Sequence, residues 1–131
     1  KYSVNTTTTN TTDTTDITNN VKILEFTNQV PELMSISDIV VTKPGGLTST
    51  ESLASGLPMV LINPIPGQEE ENAQFLENAG VGIWLKAKEN CDEIITELLN
   101  DENKLNQMRK NTELLAKKNS TMDICKTILP Q

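Results

Sequence analysis

The segment at residues 42–72 constrains the fold of this chain more than any other part of the sequence. It follows a β-branched run at residues 38–41, which is typical of a buried strand. Two adjacent glycines, Gly45 and Gly46, break that strand and allow a sharp turn, and the hydroxyl-bearing residues after them favour a helix start. A strand, a glycine turn and a helix N-terminus in this order leave unpaired N–H groups pointing outward, which predicts an anion site.

The position of Glu51 inside the predicted helix indicates which kind of anion to expect. If Leu47 is near the first helical position, Glu51 lies about one turn further on, roughly 5.4 Å along the helix axis. That is about the step from a diphosphate to the ribose that carries it. A carboxylate there can accept hydrogen bonds from both ribose hydroxyls, each contributing roughly 1.5–3 kcal/mol. The alternative is an ordinary exposed acid on a helix.

A second polar loop follows the next predicted strand, at residues 58–63. Beyond its Pro-Gly turn, Gln68, Glu69 and Asn72 are spaced so that all three can share one helix face. They would point into the crevice outside the carboxyl ends of parallel strands, where open α/β sheets bind ligands. The two loops together predict a nucleotide-sugar site, although helix capping is an alternative role for the second group.

Composition excludes several other classes of function. The 131 residues carry a formal charge of -7 and no histidine, so the sequence offers neither a basic nucleic-acid surface nor a histidine base. Cys91 and Cys125 are far apart and are expected to be free thiols of a reducing compartment. No apolar run approaches the ~20 residues that cross a bilayer. A cytoplasmic chain that binds no nucleic acid is expected.

The chain has two compositional parts. Residues 1–20 are almost entirely Thr, Asn and Asp, which predicts a flexible lead-in, with an extended edge segment as the alternative. From residue 21 the pattern changes to short apolar strands that alternate with helical segments, beginning with a predicted strand at residues 21–26. This alternation predicts a parallel α/β sheet with right-handed crossovers. After Trp84 the apolar spacing becomes helical, and a last short helix is predicted at residues 122–129.

The run from Lys43 to Gly82, KPGGLTSTESLASGLPMVLINPIPGQEEENAQFLENAGVG, resembles the donor-binding half of glycosyltransferase family 28. The likeness covers about residues 21–82 and is greatest to the processive diacylglycerol glucosyltransferases and the monogalactosyldiacylglycerol synthases. It implies a Rossmann-like parallel sheet with flanking helices, one half of a GT-B fold, followed by carboxyl-terminal helices. Residues 21–131 would then be part of the UDP-sugar-binding domain.

The resemblance also assigns roles to residues. It implies that the donor diphosphate is bound at the turn and the ribose by the helical acid, while the second loop contacts the donor sugar. The rim at the end of the first predicted strand would hold uracil. Independently of the resemblance, Phe75 and Trp84 are expected in the core, with a role as stacking platforms as the alternative. The assigned residues are Gly45, Gly46, Leu47 and Thr48 for diphosphate, Glu51 for ribose, Gln68, Glu69 and Asn72 for the sugar, and Phe26 and Thr27 for uracil.

The reaction implied by the resemblance is the transfer of a hexose from UDP-hexose to a membrane lipid such as diacylglycerol, with inversion and without a metal ion. The family's acceptor domain and an additional strand–helix unit with its own glycine-rich loop have no counterpart before residue 21. No catalytic residue is therefore expected in this chain, which would be inactive alone, and the base would lie in the amino-terminal domain of a parent enzyme on the cytoplasmic membrane face. The alternatives are a peptidoglycan-type N-acetylglucosaminyltransferase and a non-catalytic nucleotide-sugar module that needs a partner chain.

Overall fold

The structure, a computed structural model, describes residues 21–116. The predictions for residues 1–20, for Cys125 and for a helix at 122–129 lie outside these described residues. The chain divides into two units, the first ending at Val30. Within the described range, five helices and three strands follow one another in the order α1 (Val30–Ile36), β1 (Val40–Thr42), α2 (Gly46–Ala54), β2 (Met59–Leu61), α3 (Gln68–Asn78), β3 (Gly82–Trp84), α4 (Cys91–Asn100) and α5 (Glu102–Leu115).

The three strands form a parallel sheet with β2 in the centre. Val40 of β1 lies opposite Met59, and Met59 in turn lies opposite Gly82 of β3. Each connection between neighbouring strands contains a helix, as parallel pairing requires. The predicted α/β class with flanking helices and further helices after the sheet is therefore confirmed.

The central strand is buried on both faces and divides the interior into two apolar clusters. Met59 and Leu61 pack with residues of α3, including Ala73 and Leu76. Val60, which points the opposite way because strand side chains alternate, packs with Leu98 of α4 and with residues of α5. Helices α2 and α3 thus pack on one face of the sheet and α4 on the other, while α5 packs with α4 and reaches α2 and the first cluster through Leu115. No helix among residues 21–116 is long and apolar enough to cross a membrane.

The predicted strand at residues 21–26 is wrong. These residues contain no helix or strand, and Ile23 and Phe26 are 80% and 85% exposed. A strand exists only where its backbone N–H and C=O groups find a neighbouring strand, and alternating side chains alone do not supply one. Just after this segment, the Gln29 N–H donates to the Thr27 hydroxyl over 3.0 Å.

The two aromatic residues that were expected in the core, Phe75 and Trp84, differ in burial. Trp84 is half-buried and packs against the cluster that contains Met59, so its expected place at the core is confirmed. Phe75 is 56% exposed, and its expected place in the core is wrong. Helix α3 buries Ala73 and Leu76 instead, and Phe75 lies beside that inward stripe because adjacent helical residues are about 100° apart.

Candidate functional site

The glycine turn leads directly into α2, as the sequence predicts. Gly45 is the residue before the helix, with an extended backbone (φ -70°, ψ 146°), and its carbonyl accepts the N–H of Ser49 at 3.0 Å. The N–H groups of Gly46, Leu47 and Thr48 find no acceptor among the described residues. Three adjacent amides at the positive end of a nine-residue helix are therefore available to an anion.

Neither glycine of this turn is required by the backbone or by packing. The φ of Gly45 is negative, and Gly46 has ordinary helical geometry, so both positions are open to other residues. A Cβ built at either position meets no atom within 4 Å. The missing side chains therefore leave open space beside the backbone of the turn. Such space lets a ligand approach the backbone closely, which is one of the established uses of glycine.

The hydroxyl groups of α2 do not cap its N-terminus. Thr50 and Ser52 instead donate to carbonyls four residues earlier, those of Gly46 at 2.7 Å and Thr48 at 2.8 Å. Ser49 is only 6% exposed, and its hydroxyl has no partner among the described residues. No side chain therefore competes with an external anion for the three free amides.

Glu51 occupies the sixth position of α2, four residues after Leu47, so the predicted spacing of one helical turn is observed. Its side chain is half-buried and forms no ion pair or hydrogen bond within residues 21–116. Both carboxylate oxygens are consequently available as acceptors.

The second loop is organised by a carboxylate that was predicted to contact ligand. The Ile65 N–H donates to Glu69 Oε2 at 2.7 Å, which leaves Oε1 for other partners. Gly67 turns the chain into α3 with φ 100° and ψ -121°, a conformation essentially restricted to glycine, and its N–H donates to Glu70 Oε2 at 3.4 Å. Gln68 is the exposed first residue of α3.

Asn72 joins the two loops. Its side-chain Nδ2 donates to the Pro44 carbonyl at 3.0 Å, across 28 residues of sequence. Because a carbonyl can only accept, the amide orientation of Asn72 is fixed by its partner. A cleft of about 150 Å³ lies between α2 and α3 beside this contact, and its walls are formed by Gly46, Ser49, Thr50, Leu53, Asn72, Phe75 and Leu76.

The carboxyl ends of β2 and β3 form a second recess, at the place where the sequence predicts a crevice, but Gln68, Glu69 and Asn72 are not among the residues that line it. It measures about 420 Å³. Lys86 Nζ lies 3.1 Å from the centroid of the Trp84 ring and 3.3 Å from Glu77 Oε2. The other carboxylate oxygen of Glu77 accepts the backbone N–H of Trp84 at 3.0 Å. An aromatic face and a cation are therefore held at the sheet edge that follows the strands. The walls comprise Asn63, Pro64, Glu70, Trp84, Leu85, Lys86, Ala87, Lys88 and Glu89.

The predicted uracil contacts, Phe26 and Thr27, belong to the first unit of the chain. Phe26 is exposed, and the Thr27 hydroxyl accepts the Gln29 N–H. Their role toward uracil stays a prediction.

Comparison with known proteins adds the family. Residues 1–128 match the model of the family described as "Glycosyltransferase family 28 C-terminal domain". The chain belongs to this family. Since the family is the carboxyl-terminal domain of a two-domain glycosyltransferase, membership implies an amino-terminal partner domain.

Individual relatives agree with the family. The chain is 42% identical over 113 residues to the "Processive diacylglycerol beta-glucosyltransferase" of Bacillus subtilis (strain 168), covering 86% of this chain and 30% of that protein. It is 41% identical over 110 residues to the protein of the same name from Staphylococcus carnosus (strain TM300), covering 84% and 28%. The chain therefore spans less than a third of the length of these relatives.

A solved structure agrees with the fold. The structure described as "Crystal Structure Analysis of the Glycotransferase of kitacinnamycin" superimposes with a TM-score of 0.60 at 24% identity, covering 85% of this chain and 30% of that chain. The expected half of a GT-B glycosyltransferase fold is thus confirmed. Identity this low supports the fold alone.

Proposed function

We propose that this chain is the UDP-sugar-binding part of an inverting glycosyltransferase, which as a full-length enzyme moves a hexose from UDP-hexose to a membrane lipid such as diacylglycerol. The observation that carries the proposal is the set of three N–H groups, those of Gly46, Leu47 and Thr48, that find no acceptor among residues 21–116. They follow a glycine turn in which an added Cβ at Gly45 or Gly46 would meet no atom within 4 Å. Two relatives named as diacylglycerol glucosyltransferases support the choice of lipid acceptor.

The amides act on the leaving group. In the proposed displacement, the acceptor hydroxyl oxygen forms a bond to the anomeric carbon of the hexose while the bond from that carbon to the diphosphate oxygen breaks. The bonding electrons move to the diphosphate, and the hydroxyl proton passes to a base in the amino-terminal domain. Preorganised donors aimed at the developing charge can each lower the barrier by roughly 2.7–4 kcal/mol, and they need no metal ion.

The remaining side chains hold the donor in register. Glu51, one turn into α2 and without a protein partner among residues 21–116, would accept hydrogen bonds from the ribose hydroxyls. Gln68 and the free oxygen of Glu69 would contact the hexose hydroxyls from the start of α3. A UDP-hexose that contacts the N-termini of both α2 and α3 would be held at two points. This would fix the orientation of the anomeric carbon toward the acceptor.

Calorimetric titration of the 131-residue chain tests the donor site. UDP should bind at least tenfold more tightly than uridine, since the diphosphate makes the amide contacts. Equal affinities for UDP and uridine, or no binding of UDP, would remove the proposal. Titrations with UDP-glucose, UDP-galactose and UDP-N-acetylglucosamine then rank the sugars.

The acceptor is tested in the full-length parent. Incubation with diacylglycerol vesicles and the preferred UDP-sugar should yield a glycolipid whose anomeric configuration is inverted relative to the donor. Transfer to a peptidoglycan lipid precursor and not to diacylglycerol would instead identify the parent as an N-acetylglucosaminyltransferase of cell-wall synthesis. We propose that the parent works at the cytoplasmic face of the membrane, where UDP-sugars and the lipid meet.

A further inference from the structure

The contact between Asn72 and Pro44 carries a role beyond binding of the donor sugar. We infer that Asn72 is a positioning residue, which holds the glycine turn in the conformation that presents the free amides to a diphosphate. This inference rests on the proposed function, because it concerns the same site. It assigns the effect of Asn72 to the phosphate end of the donor, although the residue lies on the helix predicted to contact the sugar.

The peptide unit between Pro44 and Gly45 is fixed at both ends. Its carbonyl accepts Asn72 Nδ2 at 3.0 Å, and its N–H donates to the Lys43 carbonyl at 2.8 Å. The next carbonyl, that of Gly45, is held by the Ser49 N–H at 3.0 Å. The Gly46 N–H follows directly on these held groups, so its direction is set by them.

Asn72 makes the one hydrogen bond to this peptide, among the described residues, that comes from outside the turn and α2. The bonds made by Lys43 and Ser49 are local, and a chain containing two adjacent glycines has many conformations that could satisfy local bonds. The bond from Asn72 instead ties the turn to α3, which is itself anchored in the core by Ala73 and Leu76.

The environment of the contact makes its loss costly. Pro44 is fully buried, and Asn72 is half-buried in the wall of the cleft between α2 and α3. A buried carbonyl that loses its donor must find water or another group, so the turn would move to expose it. Such a movement would redirect the amide of Gly46 away from the position of the anion.

The test compares three ligands on two variants of Asn72 and on one control variant. Asn72→Ala should weaken binding of pyrophosphate, UDP and UDP-glucose by similar factors, about tenfold each, since all three use the amides. Asn72→Asp, which keeps the side-chain shape but cannot donate, should weaken all three at least as much. Asn78→Ala, at the far end of the same helix, is the matched control and should leave all three affinities unchanged.

A second measurement reads the turn without ligand. Amide hydrogen exchange of Gly45, whose N–H is bonded to the Lys43 carbonyl, should accelerate in Asn72→Ala while the amides of β2 keep their protection. This local effect would distinguish release of the turn from general loss of stability.

Each outcome has a defined meaning. A loss confined to UDP-glucose would make Asn72 a sugar contact and overturn the inference. Unchanged affinities with unchanged Gly45 exchange would overturn it as well. If the unsubstituted chain binds UDP normally in those cases, the proposed function stands; if that chain binds no UDP, the proposed function fails and the inference falls with it.

Discussion

Arg109 and Asp38 form an ion pair that joins the last described helix to the start of the sheet. The Arg109 Nη2 atom lies 2.8 Å from Asp38 Oδ1, and the two residues are 71 positions apart. Asp38 stands just before β1, so the pair holds α5 against the amino-terminal end of this strand, whose other end leads into the glycine turn.

We expect Arg109→Met to lower the free energy of unfolding by about 1 kcal/mol, since the pair is partly exposed and exposed pairs contribute little. The loss should shrink at 1 M salt, which screens the pair. Urea denaturation at low and high salt measures both effects. Lys110→Met removes the same charge from the neighbouring exposed position and serves as control; an equal loss there would mean that the ion pair contributes nothing specific.

Gly46→Pro should separate donor binding from stability. Proline is well tolerated at the first position of a helix, and the extended backbone of Gly45 suits a residue before proline. The substitution deletes one of the three free N–H groups without removing a hydrogen bond of the helix. UDP binding should fall by roughly 10–100-fold, the equivalent of one charge-assisted hydrogen bond, while the melting temperature stays within a few degrees.

Gly46→Ala is the control for the bulk of the added atoms, because it keeps the N–H. It should retain more affinity for UDP than Gly46→Pro does. If the proline variant binds UDP as tightly as the unsubstituted chain, the amide of Gly46 makes no contact with phosphate.

Glu51→Ala should lower the affinity for UDP by roughly 10–100-fold and leave the affinity for pyrophosphate almost unchanged, since only UDP carries a ribose. Glu51→Gln, which can still accept one hydrogen bond, should lie in between. Parallel calorimetric titrations with both ligands measure the difference. Equal losses for UDP and pyrophosphate would show that Glu51 acts on the helix end and not on the pentose.

Gly80 is predicted to tolerate no side chain. Its φ is +68°, and a Cβ there would lie 2.6 Å from Asn111 Nδ2, the atom that donates to the Gly80 carbonyl at 3.0 Å. Gly80→Ala should lower the free energy of unfolding by at least ~1–2 kcal/mol because of the left-handed backbone, and the clash with Asn111 should lower it further. The double variant Gly80→Ala;Asn111→Ala has no such clash. Its loss in free energy of unfolding, measured by urea denaturation, should therefore be smaller than the sum of the losses of the two single variants. Simple additivity would mean that the clash is relieved by other movements.

Removal of metal ions should leave donor binding unaffected. The proposed contacts to the diphosphate are backbone N–H groups, which hold an anion without a bridging cation. The affinity for UDP should therefore be the same in roughly 5–10 mM EDTA as in roughly 1 mM magnesium chloride, once the binding of magnesium to free UDP is taken into account. A loss of binding in EDTA of tenfold or more would place a cation in the donor site.

Sequence reasoning was most successful where local rules decide the structure. The run that contains Met59, Val60 and Leu61 is short, apolar throughout and preceded by Gly56 and Pro58, which is typical of a strand covered on both faces. The glycine turn was predictable for a similar reason, since it directly separates a strand from a helix. The parallel sheet followed from the alternation of such segments.

The failures concern contacts that no local pattern encodes. The strand predicted at residues 21–26 has the right alternation, but pairing depends on a partner strand that the alternation does not specify. The bond from the Ile65 N–H to Glu69 agrees with the alternative that the sequence left open for the second loop, in which these side chains satisfy the backbone at the start of α3. The bond from Asn72 to Pro44 spans 28 residues and becomes visible only once both helices are packed on the same face of the sheet.

The placement of Trp84 has a practical consequence. It is the single tryptophan of the chain, and its ring lies under the Lys86 ammonium at the end of β3. Indole emission responds to a nearby charge, so the intrinsic fluorescence of this protein reports on one defined spot at the sheet edge. The chain therefore carries its own label-free optical probe, with which ligand-induced rearrangement of that edge can be followed in real time.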